Sequence, residues 1–203
     1  MENFDIKKQT LCNVGKYNYL LRDGVDKFLS DFCKQNNPKS VLEIGTAFGY
    51  SAYVMLSSCQ CNLISVEKDQ NKVSVAKQNL QNAGFENRFQ ILCGDAGELI
   101  ATLNQKFDLI FLDGPKGQYI KYLPILKSLL NPNGTLIADN VYFQGKVLAQ
   151  GFVPHKHRTI VVNLRKFLKQ ISDDSDFQTQ ILDIGDGISV SLFKAISKTM
   201  TKG

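Results

Sequence analysis

The sequence lacks any apolar run that approaches the roughly 20 residues needed to span a bilayer. Its N-terminal stretch, MENFDIKKQT, is charged and lacks the apolar segment of a secretory signal peptide. Internal repeats, low-complexity tracts and Pro- or Gly-rich linkers are also missing. The chain has 203 residues, of which 43% are hydrophobic and 21% charged, so it can bury a full core. These features predict a cytoplasmic protein with no membrane partner and a single domain over residues 1–203.

A regular cysteine pattern is absent as well. The five cysteines are odd in number and irregularly spaced, which argues against a disulfide framework. Cys59 and Cys61 could suggest a metal site, but no second Cys or His pair lies near them in the sequence. We therefore expect small buried thiols. The cysteines are Cys12, Cys33, Cys59, Cys61 and Cys93.

Acidic residues are absent from residues 140–172, although the formal charge of the whole chain is only +5. This segment holds six Lys or Arg, and the remaining sequence has 18 basic and 19 acidic residues, so the segment accounts for the whole excess. A localised positive field suits an anionic partner such as nucleic acid. The simpler alternative is a solvated helix face with a basic loop. The six cations are Lys146, Lys156, Arg158, Arg165, Lys166 and Lys169.

Two kinds of segment alternate through most of the chain. Apolar residues at helical spacing from Leu20 to Phe32 predict a helical lead-in over residues 1–36. Residues 37–203 then contain short apolar runs separated by stretches of helical composition, notably residues 71–83 and 119–130. Apolar runs without polar alternation are typical of parallel strands that are buried on both faces. The runs are SVLEIG, NLISVE, FQILCG, FDLIFLD and TLIADN.

The C-terminal part has a different pattern. Residues 177–184 and 188–196 alternate apolar and polar side chains around Gly185-Asp186-Gly187, which predicts a β-hairpin. Together with the five apolar runs, the hairpin predicts an α/β fold in which helices flank a mostly parallel, seven-stranded sheet. In such a sheet, ligands bind beyond the carboxyl ends of the strands, where the strand order reverses.

The first apolar run leads into a glycine loop, LEIGTAFGYSA. Gly45 and Gly49 allow the backbone to approach a ligand closely, and the following helix offers free N–H groups near Tyr50 and Ser51. The G-x-x-x-G spacing differs from the dinucleotide fingerprint G-x-G-x-x-G. Glu43, just before the turn, would repel a pyrophosphate. A nicotinamide dehydrogenase is therefore disfavoured, and a cationic ligand is better tolerated.

Acidic residues end the next two strands. Glu67 lies 22 residues after Gly45, close to where an acid commonly accepts hydrogen bonds from a ribose. Asp95-Ala96 follows the third strand, at a position that could face an adenine. Taken singly, a glycine pair is more often a tight turn, and a strand-end Glu is more often solvated. Their occurrence in this order favours a nucleoside-containing ligand.

The motifs EIGTAFGYSA, SVEKD, GDA, FLDGPKGQY and LIADN, in that order, resemble those of the class I S-adenosylmethionine (SAM) methyltransferases. They are most similar to the metal-dependent O-methyltransferases, which include the catechol and caffeoyl-CoA enzymes. The resemblance is close over about residues 41–147. It implies a Rossmann-like fold, a homodimer and SAM as the methyl donor. The implied cofactor-binding residues are Glu43, Gly45, Gly49, Tyr50, Ser51, Glu67, Asp95, Ala96 and Asp113.

The same resemblance implies that Asp113, Asp139 and Asn140 bind a metal ion. Three hard oxygen donors suit Mg²⁺ or Mn²⁺ better than Zn²⁺ and leave positions for water and substrate oxygens. Lys116 is expected to act as general base if burial and the cation depress its pKa well below about 10.4. Gly114-Pro115 is an unusual pair of residues between the Asp and Lys of the D-x-x-K motif, and it could change the position of the Lys116 side chain. Taken alone, Asp113 would be a turn residue and Asp139-Asn140 a strand-end cap.

The segments KHRTIVVNLRKFL and DFQTQILDIGDGISVS resemble a bacterial branch that methylates 5-hydroxyuridine at the tRNA wobble position, giving 5-methoxyuridine. The 5-hydroxyl and 4-carbonyl of that base mimic the two oxygens of a catechol. The six cations would then hold anticodon-loop phosphates. An unstacked base would pack on an aromatic such as Tyr119, Tyr142 or Phe143. His155 and His157 are expected to be solvated loop residues.

Two other functions stay open at this point. One is methylation of a small catechol or phenol, and the other is RNA binding by a catalytically inactive protein with the methyltransferase fold.

Overall fold

The computed structural model describes residues 24–194, which form one seven-stranded sheet with helices on both faces. The strands are β1 Ser40–Ile44, β2 Asn62–Glu67, β3 Phe89–Cys93, β4 Phe107–Leu112, β5 Leu130–Ala138, β6 Phe177–Leu182 and β7 Ile188–Phe193. The helices are α1 Val25–Asn36, α2 Tyr50–Ser58, α3 Gln70–Asn82, α4 Ala96–Thr102, α5 Tyr119–Leu129 and α6 His155–Asp173, with a 3₁₀ turn at Lys116–Gln118.

The sheet has the order β3-β2-β1-β4-β5-β7-β6. Strands β1 to β5 pair in parallel, whereas β7 runs antiparallel to both β5 and β6. The predicted mostly parallel sheet with a C-terminal hairpin is therefore confirmed. The strand order reverses between β1 and β4, so the loops after Ile44 and Leu112 adjoin at the crevice where such sheets bind ligands.

The core lies in two layers, one on each face of the sheet. Successive residues of a strand point to opposite faces, so Val41 packs with α1, α2 and α3, whereas Leu42 packs with α4, α5 and α6. Helices α3 and α4 begin at capping aspartates: Asp69 accepts the N–H groups of Asn71 and Lys72, and Asp95 accepts that of Gly97. These caps fix both helix starts just beyond the strand ends.

Several local predictions can be compared with the structure. Predicted helices 71–83 and 119–130 correspond to α3 and α5. Residues 1–23 of the predicted lead-in and residues 195–196 of the predicted hairpin lie outside the described residues, as does Cys12. Cys33, Cys59 and Cys61 are buried as predicted, but Cys93 is exposed because it ends β3, the outermost strand.

The prediction of a loop at His155 and His157 was wrong. Both residues belong to the first turn of α6, which starts directly after Pro154, and the His157 ring meets the edge of Phe143 with 5.3 Å between centroids. Pro154 has a ψ of 139°, outside the helical range, so the helix begins at the next residue. Within residues 24–194, no helix is both long and apolar enough to cross a membrane.

Candidate active site

The glycine loop lies directly against the end of β4. Gly45 has φ +103°, and a Cβ at this position would overlap the backbone carbonyl oxygen of Asp113. Its N–H donates to the Val66 carbonyl at 2.9 Å. Only glycine combines this backbone conformation with such a close approach. The loop is thus held beside Asp113, and Gly49, at φ +88°, turns the chain into α2.

Glu67 anchors the glycine loop at the end of β2. Its Oε2 accepts the Ala47 N–H at 2.9 Å, and its Oε1 accepts the Asp69 N–H at 3.0 Å. Ala47 is a non-glycine residue at φ +46°, a conformation that persists where neighbouring contacts fix it. The structure therefore places the predicted ribose-binding acid beside the glycine loop, where it also has a structural role.

A buried carboxyl group lies under the same loop. Glu43 is 0% exposed and accepts hydrogen bonds from the Ser51 hydroxyl and, at 2.5 Å, from the Ser65 hydroxyl. Burial raises the pKa of Glu43 to about 7, helped by the negative charges of Asp113 and Glu67 and opposed by the two hydroxyl groups. This acidic environment repels anions and stabilises a cationic ligand.

The other predicted cofactor residues make mostly structural contacts. The Tyr50 hydroxyl donates to Asp26 Oδ2 at 2.9 Å, so the start of α2 is tied to α1. The Asp95 carboxylate caps α4 by accepting the Gly97 N–H at 2.9 Å, and Ala96 is half-buried. Asp95 itself is exposed at the carboxyl edge of the sheet, where a ligand can reach it.

Asp113, Asp139 and Asn140 come together at the ends of β4 and β5. The Asp139 N–H donates to the Leu112 carbonyl at 3.0 Å, which sets the two strand ends side by side. Asp139 is only 1% exposed, and its Oδ1 accepts the Asn140 backbone N–H at 2.6 Å and its side-chain N–H at 3.2 Å. We call these three residues with Lys116 the acidic centre.

Electrostatics in the acidic centre favour a bound cation. Burial and, next, repulsion from the negative charge of Asp113 together raise the pKa of Asp139 to about 7. No cluster of three His, Cys, Asp or Glu side chains suited to a metal occurs among residues 24–194. The third donor of the predicted set is instead the Asn140 amide. Two carboxylates and an amide are ligands that suit a hard divalent cation, so the residues fit the predicted metal.

Lys116 is ion-paired inside this centre. Its Nζ lies 2.5 Å from Asp113 Oδ1, so Gly114-Pro115 does not displace it from the carboxylate. Burial lowers the pKa of Lys116, but Asp113 more than compensates and the net pKa is raised. This direction is opposite to the depression that the general-base role requires. The physical reason is that the Asp113 carboxylate is paired directly with Nζ and stabilises the protonated lysine.

The structure corrects the predicted role of Tyr119 and adds Asp186 to the surroundings of the acidic centre. Tyr119, suggested there as a stacking surface, is fully buried, and its hydroxyl donates to the Leu112 carbonyl at 3.0 Å and the Asp139 carbonyl at 3.2 Å. It therefore ties β4 to β5 and cannot stack on a nucleobase. Asp186, in the hairpin turn, lies near enough to raise the pKa of Asp139. The only sequence signal for Asp186 was its place in a Gly-Asp-Gly turn.

The six predicted cations fall into different environments. Arg158, Arg165 and Lys169 lie on one exposed stripe of α6, at spacings of seven and four residues. Arg165 donates to the carbonyls of Val147 at 2.9 Å and Ala149 at 2.5 Å. Lys169 pairs with Asp173 at 2.5 Å. The exposed cations are Lys156, Arg158, Arg165, Lys166 and Lys169, and Lys146 is half-buried beside Gln144.

Comparison with known proteins identifies the family. A family model described as O-methyltransferase matches residues 5–194. The catechol O-methyltransferase of Niastella koreensis is 30% identical over 83% of this chain and 79% of its own length. The caffeoyl-CoA O-methyltransferase of Populus kitakamiensis is 27% identical, with coverage of 81% and 74%.

Solved structures share the fold. The O-methyltransferase TomG from Streptomyces achromogenes, in complex with SAM, aligns with a TM-score of 0.84 at 21% identity and covers 96% of this chain and 91% of that chain. At this identity the likeness shows the fold alone. The family model, however, spans nearly the whole chain and includes every motif of the site. The chain therefore belongs to the O-methyltransferase family and is a SAM-dependent O-methyltransferase.

Proposed function

We propose that this protein methylates an RNA nucleoside, with 5-hydroxyuridine at the tRNA wobble position as acceptor and 5-methoxyuridine as product. The observation that favours RNA is an aromatic and cationic surface that is exposed at Phe152 and Arg158 and half-buried at Phe143, Lys146 and His157. We call this surface the rim, and it follows Asn140 along the chain. It consists of Phe143, Lys146, Phe152, His157 and Arg158.

The rim has the chemistry of a nucleobase-binding surface. The Phe152 side chain is 81% exposed, and the Arg158 guanidinium lies 5.7 Å from its ring centroid. Lys146 Nζ lies 5.3 Å from the centroid of Phe143. Unpaired bases stack on aromatic rings and guanidinium planes, whereas exposing a phenylalanine to water without a partner is unfavourable. A flanking base of the anticodon loop would cover Phe152.

The cations of α6 extend the positive surface away from the rim. They would contact phosphates, which contribute affinity with little sequence information. Lys146, Arg158, Arg165 and Lys169 already have protein partners, so Lys156 and Lys166 are the two cations most available for phosphates. For single-stranded RNA, two contacts predict that log affinity falls with log salt with a slope of about 1.4.

Acidic residues lie where SAM, the methyl donor, would bind. SAM carries a sulfonium and an ammonium group, which suit the negative potential of Glu43, Glu67 and Asp113. Glu67 would accept hydrogen bonds from the ribose, and Asp95-Ala96 would border the adenine. Backbone N–H groups at the start of α2 would bind the carboxylate.

Asp113, Asp139 and Asn140 would hold Mg²⁺ or Mn²⁺, which when bound lowers the pKa of an acceptor hydroxyl and fixes its position. The residues around this set orient the acceptor oxygen toward the methyl group, which contributes much of the acceleration. Lys116 would take the acceptor proton at Nζ. That role requires the bound cation to take up part of the negative charge of Asp113. When Asp113 pairs with Lys116 alone, it keeps the lysine protonated.

The decisive experiment is mass spectrometry of wobble nucleosides. Hydroxyuridine-bearing tRNA is incubated with enzyme, SAM and Mg²⁺, and 5-methoxyuridine is the expected product. Asp113→Ala and chelation of divalent metal should both abolish it, whereas Asp183→Ala, an exposed acid of the hairpin, should not. Undiminished activity of Asp113→Ala would refute the assignment of the acidic centre.

A small catechol is the second candidate acceptor, because the relatives named above are catechol and caffeoyl-CoA O-methyltransferases. Methylation of free catechol without RNA, combined with no product on tRNA, would establish this candidate in place of the first. Binding of tRNA without any SAM affinity by calorimetry would instead indicate an inactive RNA-binding protein.

Two further proposals come from the resemblance and from the composition, respectively. The chain is proposed to be a homodimer and residues 1–203 a single domain. Light scattering measures the first, and limited proteolysis of the full chain measures the second.

A further inference from the structure

The loop at residues 141–147 has an unfavourable backbone conformation. Three successive residues have positive φ: Phe143 at +48°, Gln144 at +57° and Gly145 at +73°. Left-handed conformations are disfavoured for residues with a Cβ, and a run of them persists only where surrounding contacts fix it. The loop directly follows Asn140, itself at φ +55°, so the contacts that hold the loop also affect the acidic centre.

Those contacts come from the hairpin turn between β6 and β7. The Val141 N–H donates to the Gly187 carbonyl at 3.0 Å, and the Tyr142 N–H donates to the Asp186 carbonyl at 2.9 Å. Both carboxylate oxygens of Asp186 lie 2.8 Å from the Gln144 nitrogen, which donates to them. Hydrogen bonds to a charged acceptor are stronger than neutral ones. The carboxylate therefore holds the middle of the left-handed run.

Side-chain packing brings the loop and the turn into direct contact. Gly187 has φ +81°, and a Cβ at this position would lie 2.5 Å from Cγ of Tyr142. The aromatic ring thus rests on the glycine itself. Asp186 is only 8% exposed, so water competes little for its hydrogen bonds. A turn far along the chain from Asn140 controls where residues 141–147 lie.

We infer that Asp186 is a positioning residue for methyl transfer: its carboxylate holds the 141–147 loop in its left-handed conformation and thereby aims Asn140 and Phe143 at the acceptor. The Asn140 carbonyl accepts the Phe143 N–H at 3.2 Å, which links the two residues. Asp186 acts through this loop and needs no contact with the substrate. The inference rests on the proposed function in that the acceptor binds beside Asn140.

The test compares Asp186→Ala, Asp186→Asn and the exposed neighbour Asp183→Ala. In Asp186→Ala, we expect hydrogen exchange of residues 141–147 to accelerate at least tenfold, while the sheet is unchanged. Because a displacement of about 1 Å can reduce catalysis about 100-fold, kcat should fall by that order. SAM affinity by calorimetry should stay within twofold, since Glu67 ends β2 and the glycine loop follows β1. Asp186→Asn retains an acceptor for the Gln144 N–H and should recover most of the activity.

Three results would overturn the inference: unchanged loop exchange in Asp186→Ala, equal loss of kcat in Asp186→Asn, or a parallel loss of SAM affinity and sheet protection. If Asp186→Ala does not fold, Asp186→Ser is the replacement, because its hydroxyl is too short to reach the Gln144 N–H. Activity is measured on whichever acceptor, tRNA or catechol, the wild-type enzyme methylates. If it methylates neither, the proposed function fails, and hydrogen exchange still decides whether Asp186 holds the loop.

Discussion

Replacing Glu43 by glutamine should change how the stability of the ligand-free protein depends on pH. Glu43 is fully buried beneath the glycine loop, and its pKa is raised from 4.5 to about 7. Between these values the folded protein keeps a proton that the unfolded chain releases. The resulting stabilisation is complete below pH 4.5 and is lost as the pH rises through 7. Glutamine is neutral throughout, so it removes this dependence.

The size of the effect follows from the shift. A pKa shift from 4.5 to about 7 corresponds to a total change of roughly 3 kcal/mol in unfolding free energy across the titration. Over the accessible range, from pH 5 to pH 8, the wild-type protein should lose about 2 to 3 kcal/mol more unfolding free energy than Glu43→Gln. The difference between the two proteins isolates Glu43, because all other titrating groups are common to both.

Urea unfolding at pH 5 and pH 8, followed by circular dichroism without SAM or metal, measures this quantity. Glu98→Gln, which removes an exposed acid from α4, is the matched control and should behave like wild type. Equal pH dependence in wild type and Glu43→Gln would show that Glu43 is ionised at pH 5 in the folded protein. The argument that burial outweighs the Ser51 and Ser65 hydrogen bonds would then be wrong.

Three other predictions concern Gly45, Tyr119 and Lys166. In urea unfolding, Gly45→Ala should lose at least about 2 kcal/mol more unfolding free energy than Gly84→Ala. Both glycines have positive φ, but only at Gly45 would the new Cβ overlap a backbone carbonyl. Tyr119→Phe should lower the unfolding free energy by about 1 to 2 kcal/mol in the same assay, because the Asp139 carbonyl loses the hydroxyl donor and the Leu112 carbonyl is left with the Asp139 N–H. Lys166→Gln should lower the salt slope of RNA binding by about 0.7, whereas Arg165→Gln should leave the slope unchanged, since Arg165 is bound to loop carbonyls.

Sequence patterns predicted the fold well where a feature depends on nearby residues. The buried strands appeared as apolar runs, and the hairpin appeared as alternating residues around Gly185-Asp186-Gly187. The family resemblance implied that Asp113 and Asp139 share a metal site, and both residues follow predicted strands. The hydrogen bond from the Asp139 N–H to the Leu112 carbonyl sets these strand ends side by side. Their metal-binding role stays a prediction.

Local patterns failed where long-range packing decides the environment. Tyr119 has the same chemistry whether it is exposed or buried, and only its place between Leu112 and Asp139 shows that it ties two strands together. Phe152 was overlooked because nothing in the sequence distinguishes an exposed phenylalanine from a buried one. Arg165 was assigned to phosphates, but the fold gives it carbonyl partners within the protein.

The sequence by itself determined the order of strands and helices, the glycine loop and the acidic residues at strand ends, because each depends on residue type and short-range spacing. Tertiary structure alone decided the charge state of the centre, since the pKa values of Glu43, Lys116 and Asp139 depend on burial and on charges from other strands. It also decided that Asp186 contacts the 141–147 loop, because that contact joins segments about 40 residues apart, and no local pattern encodes such a distance.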